Sequence, residues 1–195
     1  MTTVNVLLFD DFTALDALGP AEVLGRLADT YAIRFVSREG GLVAGTAGLR
    51  IATDRLEEPG DADLLLVPGG YGTRKLAEDR DFLRYLKTLA EMSRTVLCVC
   101  TGSALLAATG LLAGRRATSN KLAWEWVIAR SAEVDWVRRA RWVADGAYWT
   151  SSGVTAGIDM ALAFVADAHG AEAARKVAAS LEYVRREEAD DDPFA

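Results

Sequence analysis

The chain has 195 residues, 51% of them hydrophobic and 26% charged, the balance of a soluble globular protein with material for one sizeable core. Its net charge of −6 argues against a nucleic-acid backbone as partner. Two cysteines and one histidine are too few ligands to make a metal site attractive, so no metal is expected.

Thr3 to Phe9 has the pattern of a strand and ends in the acidic pair Asp10–Asp11. No basic region precedes its apolar run, so no secretory signal is visible. With only two cysteines, a reducing cytoplasm is the expected compartment. A helix follows, with Pro20 placed in its first turn, where a missing N–H costs nothing, and Ala21, Val23, Leu24, Leu27 and Ala28 as its apolar stripe. Asp16 then sits in the loop or first turn after the strand, at the sheet's carboxyl rim. Its plainer role there is helix N-capping. Glu22, one turn deeper, is a reserve acid that otherwise faces solvent.

Ala32 to Ser37 reads as a second strand and residues 41–54 as a glycine-punctuated hairpin. Asp63 to Val67 is a third core strand running into Pro68-Gly69-Gly70-Tyr71-Gly72. A glycine-rich turn at that place lets backbone N–H groups converge on an anion, which makes Gly69 and Gly70 candidate oxyanion or substrate-binding positions. A plain loop is the alternative. Asp81 to Met92 is an amphipathic helix with Phe82, Tyr85, Leu86 and Leu89 on one stripe.

Thr95 to Val99 reads as a buried parallel strand, Gly102 breaks the pattern, and Ala104, Leu105 and Ala108 recur at helical spacing. Cys100 and Thr101 therefore fall on a tight strand-to-helix turn, the arrangement of a nucleophile elbow. A thiol there faces the positive end of the next helix, which favours thiolate. Cys98, two residues earlier, reads as a small buried hydrophobe, although the C-x-C spacing also fits a metal pair or a disulfide. Residues 95–114 carry no charge over a length that can span a bilayer. Their three glycines and change of period read instead as strand plus helix, so no membrane partner is expected.

Arg116 to Ser119 is a short strand pattern, Lys121 to Ala129 a helix, and Val134–Val137, Trp142–Ala144 and Tyr148–Ser151 further strands, with Asp145-Gly146 as a hairpin turn. Arg138, Arg139 and Arg141 read as a solvated strand face. All five tryptophans lie between Trp124 and Trp149, where they either line a pocket or dimer contact or pack the core. Val154, just after Gly153, is a pocket candidate. Thr155–Ala168 and Ala171–Leu181 are helices, and His169 between them reads as an exposed or capping residue, so a Cys–His pair is not expected. Residues 1–186 form one α/β domain in this reading, and 187–195, with five acids, a frayed tail. Strands alternating with helices predict a three-layer α/β/α sandwich with a mainly parallel, flavodoxin-like sheet. Ligands of such folds bind beyond the strands' carboxyl ends, where Asp16, Gly69–Gly70 and Cys100 should meet.

The segments LDALGPAE (15–22), VPGG (67–70), VCTGS (99–103), LLAGRRAT (111–118) and GVTAGID (153–159), with LEY at 181–183, resemble the ThiJ/PfpI superfamily of the class I glutamine-amidotransferase-like fold over nearly the whole chain. The D-x-x-G-P and C-T-G-S motifs are most similar to isocyanide (isonitrile) hydratases. That resemblance implies Cys100 as nucleophile, Asp16 working beside it, Thr101 helping to hold the site, a homodimer and no cofactor. Thr101 stands where superfamily proteases carry a histidine, which counts against proteolysis. Asn120 replaces a histidine that many relatives have near the cysteine, and Ser151–Ser152 replace the more usual glycines before Gly153, which marks a distinct subgroup. The implied reaction hydrates a small isocyanide to an N-substituted formamide through a thioimidate on Cys100, with Asp16 as general acid and base. Two alternatives use the same cysteine: a cofactor-free glyoxalase or deglycase-like activity on small dicarbonyls, and a non-catalytic redox sensor. A regulator with an attached DNA-binding domain is not expected, because only the acidic tail follows the α/β region.

Overall fold

In this computed structural model, which describes residues 1–56 and 62–195, strands and helices alternate along the chain. In order they are β1 (Thr2–Leu7), α1 (Ala14–Gly25), β2 (Tyr31–Ser37), β3 (Gly41–Ala44), β4 (Arg50–Arg55), β5 (Ala62–Val67), α2 (Gly72–Leu76), α3 (Arg80–Met92) and β6 (Thr95–Val99). Next come α4 (Gly102–Ala108), β7 (Arg116–Ala117), α5 (Trp124–Ile128), β8 (Asp135–Trp136), β9 (Trp142–Asp145), β10 (Tyr148–Ser151), α6 (Ala156–His169) and α7 (Ala171–Ser180).

The main sheet runs β3-β4-β2-β1-β5-β6-β10-β9. Its interior pairs are parallel, and only the edge pairs β3–β4 and β9–β10 are antiparallel. Val4, Val6, Leu66, Val67, Val96 and Leu97 are fully buried because both faces of the sheet are covered. α1, α6 and α7 pack on one face, and α2, α3 and α4 on the other. α3 starts where the Asp79 carboxylate accepts the N–H groups of Asp81 and Phe82, and its Phe82–Leu86–Leu89 stripe is buried as its spacing predicts. β1 pairs with β2 on one side and β5 on the other. The winding reverses there, and a crevice opens beyond the carboxyl ends of these strands.

Four expectations change. α1 begins at Ala14, so Pro20 lies inside the helix instead of in its first turn. The early start is held from outside: Thr13 N–H donates to Gly69 O and Ala14 N–H to Thr46 Oγ1. The segment expected as helix from Lys121 is helical only over α5, because the Asn120 side chain accepts the Ala123 N–H and sets the start later. The tail is docked, not frayed. Ala189 O accepts the Arg141 N–H, Asp192 N–H donates to Arg139 O, and the Asp192 carboxylate lies 3.3 Å from buried Lys121 Nζ.

Arg141 likewise leaves the solvated face expected for it. Its Nε donates to Asp159 Oδ2 at 2.7 Å, with both side chains buried, and Asp159 Oδ1 accepts from Tyr183 Oη and Arg186 N–H. Removing one partner of such a pair strands the other charge away from water. Arg141→Met is therefore expected to lower unfolding stability by about 3–5 kcal/mol, read from urea midpoints. An unchanged midpoint would show that Asp159 is satisfied without the guanidinium.

Candidate active site

Four loops at the carboxyl ends of β1, β5, β6 and β10 meet in one place, and each contributes a different kind of group. β6 ends at Val99 and α4 starts at Gly102, leaving Cys100 on the elbow with φ of +56°. A non-glycine residue held there costs about 1–3 kcal/mol, so its surroundings must fix it. Cys100 N–H donates to Ser151 O, and Cys100 O accepts from Ser103 Oγ at 2.9 Å and Ser119 Oγ at 2.8 Å. Gly102 is needed because a Cβ there would lie 2.4 Å from Val67 O. Cys100 is 6% exposed and opens on a cleft of about 260 Å³. Thr13, Gly70, Tyr71, Arg74, Asn120 and Val154 line that cleft.

Asp16 comes from the first turn of α1 and is fully buried. Its Oδ2 accepts the Gly69 N–H at 3.0 Å, its Oδ1 is buried with no hydrogen-bond partner among the described residues, and the carboxyl lies close enough to the Cys100 thiol for the two to shift each other's protonation. Burial pushes the Asp16 carboxyl up to about 7 against the pull of the Gly69 N–H. Burial, and then the Asp16 charge, push the Cys100 thiol up to about 12, while the Thr101 and Val154 N–H groups favour the thiolate. The thiolate-favouring environment expected from the helix end alone is thus overridden by desolvation. The two groups titrate as a pair. With one proton between them, they exchange between thiol–carboxylate and thiolate–carboxylic acid without any change of net charge.

Gly70 lines the cleft, but the N–H groups of the glycine turn already have partners within the protein. Gly69 N–H is spent on Asp16 and Gly70 N–H on Thr101 Oγ1 at 3.0 Å, so neither is free to bind an oxyanion. The reason Gly69 is glycine is steric: a Cβ there would sit 2.6 Å from Thr101 N and 2.8 Å from Asp16 Oδ2. Thr101 Oγ1 also meets Thr73 Oγ1 at 3.1 Å, which knits the β5 and β6 loops together. The N–H donors that reach sulfur are those of Thr101 and Val154, the latter on the loop after β10 with φ of +37°.

The structure brings together Asp16, Thr101, Cys100 and Val154, and leaves Glu22 outside. Glu22 is exposed and pairs with Arg26 at 2.6 Å. His169 ends α6 and bonds Tyr31 Oη at 2.6 Å, at the amino ends of the strands, the opposite rim from Cys100. Cys98 is fully buried in β6, and burial lifts its thiol further than that of Cys100. Trp124, Trp142 and Trp149 are buried, Trp142 and Trp149 line a separate groove of about 510 Å³ with Ala163 and Ala166, and among the described residues no tryptophan lines the Cys100 cleft. Ser119 and Arg74 were not singled out by sequence. Ser119 had no local signal, whereas Arg74, two residues past the glycine turn, could have been found by asking which charge sits beside that turn.

A parallel α/β/α sandwich with a strained elbow cysteine and a buried carboxyl at the switch point defines a cysteine-centred class of this fold. The chain belongs to the DJ-1/PfpI family, whose model matches residues 2–167. It is 35% identical to isonitrile hydratase from Pseudomonas putida over 181 residues, 92% of this chain and 78% of that protein. It is 34% identical to the HTH-type transcriptional regulator CdhR of Pseudomonas aeruginosa over 88% of this chain, a match that spans 52% of the regulator. In a crystal structure of a ThiJ/PfpI family protein from Pseudomonas syringae, the matching chain has a TM-score of 0.83 and 28% identity, covering 95% of this chain and 76% of that one. No helix among the described residues is long and apolar enough to cross a membrane.

Proposed function

We propose that the protein hydrates small isocyanides to N-substituted formamides. The observation that carries this reading is the fully buried Asp16 carboxyl, its Oδ1 without a hydrogen-bond partner among the described residues, set close enough to the Cys100 thiol for the two to titrate together, with the Thr101 and Val154 N–H groups favouring the thiolate. The likeness to isonitrile hydratase supports it.

The chemistry runs on one shared proton. In the thiolate–carboxylic acid form, Cys100 sulfur adds to the terminal isocyanide carbon, and Asp16 delivers its proton to that carbon, giving an S-linked thioimidate and an Asp16 carboxylate. Asp16 then takes a proton from water as hydroxide adds to the thioimidate carbon, and passes that proton to nitrogen. The tetrahedral adduct collapses to the carbonyl: its hydroxyl proton returns to Asp16, the C–S bond breaks, and sulfur leaves as thiolate on the Thr101 and Val154 N–H groups. One water is consumed and the starting form is restored.

The direct test supplies the protein with alkyl and aryl isocyanides and, separately, with methylglyoxal, and follows the formyl proton of the product by NMR. Formamide is the expected product. Methylglyoxal consumption with no isocyanide hydrated would replace this reading by the dicarbonyl one. Oxidation of Cys100 at modest peroxide with neither substrate consumed would replace it by the sensor.

A further inference from the structure

Arg74 and Asn120 bring N–H donors to the cleft. Arg74 is half-buried on its wall, with its guanidinium 3.9 Å above the centre of the Trp126 ring and Nη1 donating to Thr73 Oγ1 at 3.2 Å. Thr73 Oγ1 in turn meets Thr101 Oγ1, so two hydrogen bonds lead from the guanidinium to the residue beside Cys100. Among the described residues no carboxylate pairs with Arg74; Glu78, one turn on, is taken by Arg130 at 2.6 Å. The cleft lining contains no acidic side chain, and the Asn120 amide has its oxygen committed to Ala123 N–H, leaving its NH₂ group. A stacked guanidinium keeps its edge free for a planar anion and loses little freedom on binding one.

We propose that this cleft selects carboxylate-bearing substrates, the carboxylate held by Arg74 while the reacting carbon faces Cys100. This names the substrate class of the isocyanide reading and rests on it only for the identity of the reacting carbon. The small cleft, about 260 Å³, suits a short molecule.

The test uses Cys100 itself as reporter. Wild type and Arg74→Met, which keeps a side chain packed on Trp126, are alkylated with iodoacetate and with the neutral iodoacetamide, and the modified cysteine is counted by mass spectrometry. The readout is the ratio of the two rates, which cancels any change in thiolate fraction. The ratio is expected to fall about tenfold in Arg74→Met, the size of effect that loss of a charge-assisted hydrogen bond gives. An unchanged ratio overturns the proposal. In parallel, isocyanoacetate and its methyl ester are compared as substrates of both proteins. Preference for the free acid in wild type, lost in Arg74→Met, supports the proposal, and equal use of acid and ester overturns it. If the iodoacetate ratio falls but no isocyanide is hydrated, the anion site stands and the hydratase reading fails. If isocyanides are hydrated without acid selectivity, the reverse holds.

Discussion

Cys100→Ala is expected to reduce isocyanide hydration by at least about 10³-fold while leaving the fold intact, because the proposed reaction needs a covalent bond to sulfur and no other atom can form it. Cys98 cannot take over: it is fully buried within β6, and burial holds its thiol protonated. The elbow itself should survive. The hydrogen bonds that fix it are made by the backbone of residue 100, with Ser151 O, Ser103 Oγ and Ser119 Oγ, and alanine carries the same left-handed φ at no greater strain than cysteine. Formamide production by NMR, with circular dichroism on the same samples, reads both halves. A variant that keeps a tenth of wild-type turnover would remove the thioimidate from the mechanism. Cys100→Ser should be equally inactive, since a hydroxyl in the same pocket is far less acidic than a thiol, and its activity would separate nucleophilicity from packing.

What the sequence made legible, and what it hid, divides by the range of the interaction. The Cys100 elbow could be read because strand, turn and helix are written within residues 95–108, and Asp16 because it follows β1 at the same rim. Which groups are free at that rim could not be read. Gly69 and Gly70 lie in a turn well suited to bind anions, but their acceptors, Asp16 Oδ2 and Thr101 Oγ1, arrive from α1 and the β6 elbow, and only the assembled crevice shows the N–H groups occupied. Charge patterning failed for the same reason. Arg141 looks solvated beside Arg138 and Arg139, and 187–195 looks frayed, until Asp159 on α6 and Lys121 after β7 supply partners that are distant in the chain. Arg and Asp are rarely buried unless paired, and pairing is a property of the fold.

Asp16→Asn is expected to abolish activity and to make the protein more stable, and the two effects share one cause. Asparagine can still accept the Gly69 N–H, but it can neither deliver a proton to the isocyanide carbon nor take one from water, a loss of about 10²–10⁴-fold from acid–base catalysis alone. In wild type, kcat/KM should rise with pH through about 7, as the Asp16–Cys100 pair goes from two protons to the single shared one that permits thiolate, and stay level until far above neutrality. Asp16→Asn should lose that rising limb. The stability effect follows from linkage. Folding raises the Asp16 carboxyl from 3.8 to about 7, so between those values the folded chain holds a proton that the unfolded chain has released. Stability therefore falls as pH rises through this window. The cost of keeping Asp16 ionised and buried is absent below about pH 4 and complete above about pH 7, on the order of 4 kcal/mol. Urea midpoints of wild type and Asp16→Asn should then nearly coincide at pH 4 and separate at pH 8, with the variant the more stable. Equal midpoints at both pH values would mean that the carboxyl ionises in the fold as it does in water, and a group that does so would not hold the proton that the first step delivers to the isocyanide carbon.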